Sequence, residues 1–179
     1  ENITAVYLSG GSQTQLGKII VGSKVHQKLL EMYLKGAAIM CSNMLTGGQR
    51  FPRTPEARNS NTCEVIKKNN IMIKTGLGFI RDIIIDQHFV VMRRQNRLIS
   101  QALERPSLLG LGIDEATAVV IKPDRTFEVI GKSVVVVYDA SHVQNIRTDR
   151  YGNLSGHNII MHVLSAGERF NLNTRRVIQ

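Results

Sequence analysis

One apolar run constrains the fold of this chain more than any other feature of its sequence. Three isoleucines at positions 83–85 are followed at once by Asp86, Gln87 and His88. β-branched residues favour strands, and an unbroken apolar run is typical of a strand buried on both faces in a parallel sheet. Ligands of such α/β folds bind at the carboxyl ends of the strands. The run therefore predicts a central strand that ends in a functional site.

A second segment has the same form. Residues 109–113 are apolar or glycine, and Asp114 and Glu115 follow them. A His at the end of one strand and a Glu at the end of another are two parts of a catalytic base and the carboxylate that orients it. Taken singly, each residue is better interpreted as a polar residue in a solvated loop. Taken together, they favour a shared site.

The composition limits the class of protein and of partner. The 179 residues are 42% hydrophobic and 21% charged, as expected for a single soluble domain over 1–179. No apolar run reaches the roughly 18 residues that a membrane span needs, so we expect no membrane partner. The net charge of +9 attracts polyanions, but Trp is absent and aromatics are 5%. That balance favours an acidic peptide or polymer over nucleic acid. The two cysteines, Cys41 and Cys63, are isolated and have no CxxC spacing, which favours a reducing, cytoplasmic compartment with secretion left open.

Local patterns predict helices and strands in alternation early in the chain and antiparallel strands later. Ser23 is a good N-cap for a helix that runs to Lys35, and Pro123-Asp124 marks the turn of a hairpin. The order predicts an α/β sheet with an antiparallel C-terminal extension. The predicted helices are 23–35, 37–45 and 95–105; the predicted strands are 3–8, 71–73, 83–85, 118–121, 127–130, 133–138 and 157–164, with 49–62 as a surface loop.

Several long motifs, in the right order, resemble those of cyanophycinase and its relatives, which are serine peptidases of the aspartyl-dipeptidase group. The motifs lie at 9–13, 76–79, 83–89, 96–98, 109–118, 137–143 and 164–170. The resemblance implies a flavodoxin-like, mostly parallel sheet with helices on both faces, related to class I glutamine amidotransferases. It also implies hydrolysis of β-Asp-Arg bonds in cyanophycin without a metal or an organic cofactor, and it is compatible with a homodimer.

The same resemblance implies roles for single residues. His88 corresponds to the family's catalytic base and Glu115 to the carboxylate that orients it. The substrate-binding residues correspond to Gln13, Asp86, Gln87, Arg94 and Arg97. These roles agree with general chemistry, since guanidinium groups pair with the carboxylates of a substrate and a serine hydroxyl needs a base to become a nucleophile. Without the resemblance, Arg94 and Arg97 would be interpreted as a solvated helix face, and Gln13 as a loop amide.

The nucleophile of the family is missing from this sequence. Relatives carry a strand and a Gly-Thr-Ser-Ala-Gly elbow before an Ala-Ala-Ile-Met run, whereas here Gly36 is followed directly by Ala37. Loss of a central strand would leave backbone groups without partners. We therefore expect further residues between Gly36 and Ala37, and also before Glu1. Neither Cys41 nor Ser42 has an elbow context. If the elbow is truly absent, the protein is instead an inactive relative that binds acidic polymer or peptide.

The mass of the natural protein distinguishes these two explanations. We expect an intact mass clearly above the 20.0 kDa of this sequence. We also expect a serine-containing peptide that connects Gly36 to Ala38. A mass of 20.0 kDa, with a continuous Gly36–Ala37 peptide, would support the inactive relative.

Overall fold

The computed structural model describes residues 3–9, 13–41, 48–53 and 64–179; at 13–14, 48–53 and 72 it describes the backbone alone. Fourteen strands are described, in chain order: β1 Ala5–Leu8, β2 Ala38–Cys41, β3 Gly48–Arg53, β4 Met72–Thr75, β5 Ile80–Gln87, β6 Leu109–Ile113, β7 Thr117–Ile121, β8 Thr126–Gly131, β9 Val135–Asp139, β10 Gln144–Thr148, β11 Leu154–His157, β12 Ile160–Leu164, β13 Arg169–Asn171 and β14 Arg176–Ile178. The helices are α1 Gln13–Ile20, α2 Lys24–Leu34 and α3 Gln95–Glu104.

Helix α2 begins and ends where its sequence predicts. Ser23 has an extended backbone, and its hydroxyl oxygen accepts a hydrogen bond from the backbone N–H of His26 at 3.2 Å. After Lys35, Gly36 adopts a φ of +95°, which favours glycine and turns the chain out of the helix. Within the described ranges, no helix has both the length and the apolar composition needed to cross a membrane.

Strand β5 occupies the interior of a six-stranded sheet, as its isoleucines predict. The strand order is β12-β9-β6-β5-β3-β4, and β5 runs parallel to both of its neighbours. The α/β class and the antiparallel extension in β9 and β12 are confirmed. The sheet is nevertheless mixed, because β3 also pairs antiparallel with β4, so "mostly parallel" is too strong. The flavodoxin-like topology stays a prediction.

The helix predicted over 37–45 is wrong for the part that the structure describes. Residues 38–41 form β2, which pairs in parallel with β1 from Ala5↔Ala38 to Leu8↔Cys41. Pairing with a distant strand overrides the helix propensity of an Ala-Ala-Ile-Met run. Residues 42–45 lie outside the described residues.

Two further predictions also need correction. Part of the loop predicted over 49–62 is strand β3, and 54–62 lie outside the described residues. The strand series does not end at Leu164, because β13 and β14 follow it and extend the β7–β8 hairpin into a separate four-stranded sheet.

The alternation of β5 divides the core between the two faces of the large sheet. Ile83 and Ile85 belong to one apolar cluster, which also contains Leu29 of α2. Ile84 belongs to the other, with Leu98 and Ala102 of α3. Each face of β5 therefore has a helix among its packing partners, and the carboxyl end of the strand is left to carry the polar residues.

Burial predicts how substitutions of two leucines, one in the core and one at the surface, should differ. Leu111 of β6 is 0% exposed, whereas Leu34 at the end of α2 is 83% exposed. We expect Leu111→Ala to lower the free energy of unfolding by about 2–5 kcal/mol, because it removes buried methyl groups and leaves a cavity. The matched Leu34→Ala change should cost less than about 0.5 kcal/mol in the same urea titration. Equal effects would contradict this description of the core.

Candidate active site

The structure brings His88 and Glu115 together at one edge of the sheet. β5 and β6 are parallel neighbours in the register Gln87↔Ile113, so the residues that follow them emerge side by side. The imidazole Nδ1 of His88 lies 2.9 Å from Oε1 of Glu115. Their side chains are 56% and 51% exposed, so the pair faces solvent.

The chemistry of the two groups assigns the proton between them. An ionised carboxylate only accepts hydrogen bonds, so Nδ1 of His88 must carry the hydrogen that it donates to Glu115. In the neutral ring, Nε2 then has a lone pair available to accept a proton. The arrangement is that of a general base held by an acidic partner.

Backbone conformation and packing place His88 beyond the end of the strand. Its φ of +49° is left-handed, which is unfavourable for a residue with a side chain. The next residue, Phe89, is 0% exposed and packs against Gly112, where an added Cβ would lie 2.4 Å from the ring. Glycine at 112 therefore allows the Phe89 ring to enter the core and directs His88 away from it.

Asp86 lies beneath this surface as part of a buried ion pair. Its carboxylate accepts hydrogen bonds from Nε of Arg97 at 2.6 Å and from Nη2 of the same residue. Burial raises the pKa of Asp86, and the hydrogen bonds and charge of Arg97, followed by the charge of Arg94, oppose that rise. Arg97 is 3% exposed, so the alternative interpretation, in which it lies on a solvated helix face, is wrong.

The other residues expected to bind substrate lie around this ion pair to different degrees. The guanidinium of Arg94 donates to the carbonyl oxygen of Gln87 and lies 3.5 Å from Asp86 Oδ1. The Arg94 side chain is 18% exposed, so it is nearer to the surface than Arg97. Gln13 begins α1, but its side chain lies outside the described part, so its place in the site stays a prediction.

One polar residue of this region, Asp114, was not singled out from the sequence. Its carboxylate accepts hydrogen bonds from the backbone N–H groups of Val90 at 3.0 Å and Val91 at 3.1 Å. It also accepts one from the hydroxyl of Ser133 at 2.6 Å. Burial raises its pKa, but these hydrogen bonds outweigh burial and hold that pKa below its usual range. In the sequence, the only signal was its position directly before Glu115.

Comparison with known proteins finds relatives that match nearly the whole length of this chain. A cyanophycinase from Trichormus variabilis and one from a Nostoc species are each 32% identical to it over 191 residues, which cover 99% of this chain and 60% of the relative. One from Geminocystis herdmanii is 31% identical over 189 residues, covering 98% of this chain and 65% of the relative. This chain belongs to the cyanophycinase family. It spans 60–65% of the length of these curated cyanophycinases, and no protein-family model matches it.

The buried ion pair beneath the site should be important for stability. We expect Arg97→Met to lower the free energy of unfolding by about 3–5 kcal/mol, because the buried Asp86 carboxylate loses its bidentate partner. Arg93→Met, on the exposed turn, should change it by less than about 0.5 kcal/mol. Chemical denaturation at pH 7 measures both. Similar small losses in the two variants would show that the Asp86–Arg97 pair is not buried as described.

Proposed function

We propose that this chain is part of a serine-type peptidase that hydrolyses aspartyl peptide bonds. The proposed substrate is cyanophycin, a poly-aspartate with arginine on its side-chain carboxylates, cleaved at its β-Asp-Arg bonds. The observation that carries the proposal is the 2.9 Å contact between His88 and Glu115 at the carboxyl edge of two parallel strands. The relatives named cyanophycinase support the substrate class.

The proposed mechanism uses the lone pair on Nε2 of His88. As a serine hydroxyl attacks the substrate carbonyl, Nε2 takes its proton, and Glu115 stabilises the imidazolium that forms. The imidazolium then gives this proton to the leaving amine, and an acyl ester remains on the serine. Water, deprotonated by the same nitrogen, hydrolyses the ester and regenerates the serine. The serine itself belongs to the segment that we propose between Gly36 and Ala37.

Substrate recognition is proposed to rest on the polar residues beside His88. Arg94 is the more exposed of the two arginines around Asp86, and it is held through the carbonyl of Gln87. A guanidinium here suits an acidic substrate, because it pairs with carboxylates in a fixed planar geometry. The buried Asp86–Arg97 ion pair lies next to Arg94, and Gln13 is the remaining residue proposed to bind substrate.

One observation favours a second candidate, an inactive relative that binds acidic polymer or peptide. Helix α2 leads into β2 through Lys35, Gly36 and Ala37 alone, and the N–H of Ala37 donates to the carbonyl of Met32 at 3.0 Å. That connection has no residue that could form a nucleophile elbow. Under either candidate, we propose neither nucleic acid nor membrane as a partner. A homodimer and a cytoplasmic location are further proposals.

Release of soluble product from the polymer tests the hydrolase: free arginine if the β-Asp-Arg bonds are cleaved, and β-Asp-Arg dipeptide if the aspartyl backbone is cleaved. We expect His88→Ala to lower the rate by about 10²–10⁴-fold, because it removes the base. His157→Ala, which alters an exposed histidine on β11, is the matched control and should keep the wild-type rate. Equal release from the two variants would exclude His88 as the base. Polymer binding by the wild type without any release would instead support the inactive relative.

A further inference from the structure

We propose that Asp114 is a positioning residue for the base: its carboxylate holds the turn that sets the His88 imidazole against Glu115. The role rests on the proposed hydrolase function, in which His88 acts on a serine. Asp114 does not touch the imidazole in the contacts described above, so it acts through the backbone.

A short turn follows His88. The N–H of Met92 donates to the carbonyl of His88 at 3.0 Å, and the N–H of Arg94 donates to that of Phe89 at 2.9 Å. These contacts make a short helical turn whose first N–H groups need an acceptor. Oδ1 of Asp114 takes the N–H groups of Val90 and Val91, as an N-cap carboxylate does. His88 is thereby fixed at the start of a capped turn.

The second oxygen of Asp114 connects this turn to the backbone of Glu115. Oδ2 accepts the hydroxyl hydrogen of Ser133, whose own N–H donates to the hydroxyl of Thr117 at 2.9 Å. That hydroxyl donates in turn to the carbonyl of Glu115 at 3.0 Å. The N–H of Asp114 also donates to the carbonyl of Val134 at 3.2 Å. One network therefore holds the backbone on both sides of the imidazole–carboxylate pair.

The pair needs such support, because its own surroundings do not order it. Both side chains are more than half exposed, and an exposed ion pair contributes little to holding two groups in one geometry. His88 also adopts the left-handed backbone conformation, which persists only where neighbouring structure enforces it. The turn anchored by Asp114 enforces it together with the buried ring of Phe89.

Steady-state kinetics on the natural full chain distinguish positioning from general stabilisation. A displaced base lowers kcat, and a misplacement of about 1 Å costs on the order of 100-fold, so we expect Asp114→Ala to lose about that much kcat with little change in KM. Asp114→Asn keeps an oxygen acceptor for the turn and should retain most of the activity. Asp139→Ala is the control: this buried carboxylate lies at the opposite end of the sheet, beside Leu109, and should cost stability without lowering kcat.

A second measurement keeps the test valid if Asp114→Ala is unstable or the wild type proves inactive. Nitrogen NMR shifts of His88 above the titration range of histidine report which ring nitrogen carries the hydrogen. We expect the Nδ1–H form in the wild type and in Asp114→Asn. In Asp114→Ala, and in the milder Ser133→Ala, the signal should shift towards that of a solvated imidazole.

The outcomes separate the two proposals. A wild type that releases neither arginine nor dipeptide overturns the hydrolase function alone, whereas the NMR comparison still tests the positioning role. An Asp114→Ala protein that keeps both the Nδ1–H form and the wild-type kcat overturns the positioning role. So does a loss of kcat in Asp139→Ala as large as that in Asp114→Ala, since the effect would then follow stability alone.

Discussion

The register between β5 and β6 is the constraint on which the rest of the structure depends. The two strands pair in parallel from Ile83↔Leu109 to Gln87↔Ile113. A slip of one residue would move every side chain of β5 to the opposite face. The glycines of β6 make such a slip costly, because a Cβ added at Gly112 would clash with the ring of Phe89 at 2.4 Å, and one at Gly110 would lie in tight contact with Leu98 at 3.2 Å. Packing thus sets the register, and the register sets the meeting of imidazole and carboxylate.

A buried carboxylate paired with an arginine lies at each end of the large sheet. At one end, Asp86 is paired with Arg97 of α3. At the other, Asp139 accepts a hydrogen bond at 2.6 Å from Arg175, which also donates to the carbonyl of Ser107. Burial raises the pKa of Asp139, but hydrogen bonds from the backbone of Ser141 and from Arg175 outweigh it and hold the pKa low. Because unpaired buried charge is expensive, each pair specifies which later segment of the chain packs there.

Sequence reasoning succeeded where the signal is local or periodic. The isoleucine run predicts a central strand, Ser23 predicts the start of α2, and the positions of His88 and Glu115 after parallel strands predict their meeting. It failed where contacts with residues far away in the sequence determine the local structure. Parallel pairing with β1 makes residues 38–41 a strand, and the carboxylate of Asp86 draws Arg97 into the core. The role of Asp114 depends on Ser133 and on two backbone N–H groups, and no spacing rule connects those groups.

The pair of β1 and β2 bears on the nucleophile that the sequence lacks. Among the described residues, these strands form a two-stranded parallel sheet apart from the large one. Parallel strands are normally buried on both faces, yet Tyr7 is 61% and Met40 53% exposed. An additional strand between α2 and β2 would enlarge this small sheet and would provide the strand-to-helix turn on which a nucleophile elbow depends. The exposed face itself calls for a covering layer, because strands join a sheet at its edges and helices or a second sheet cover its faces.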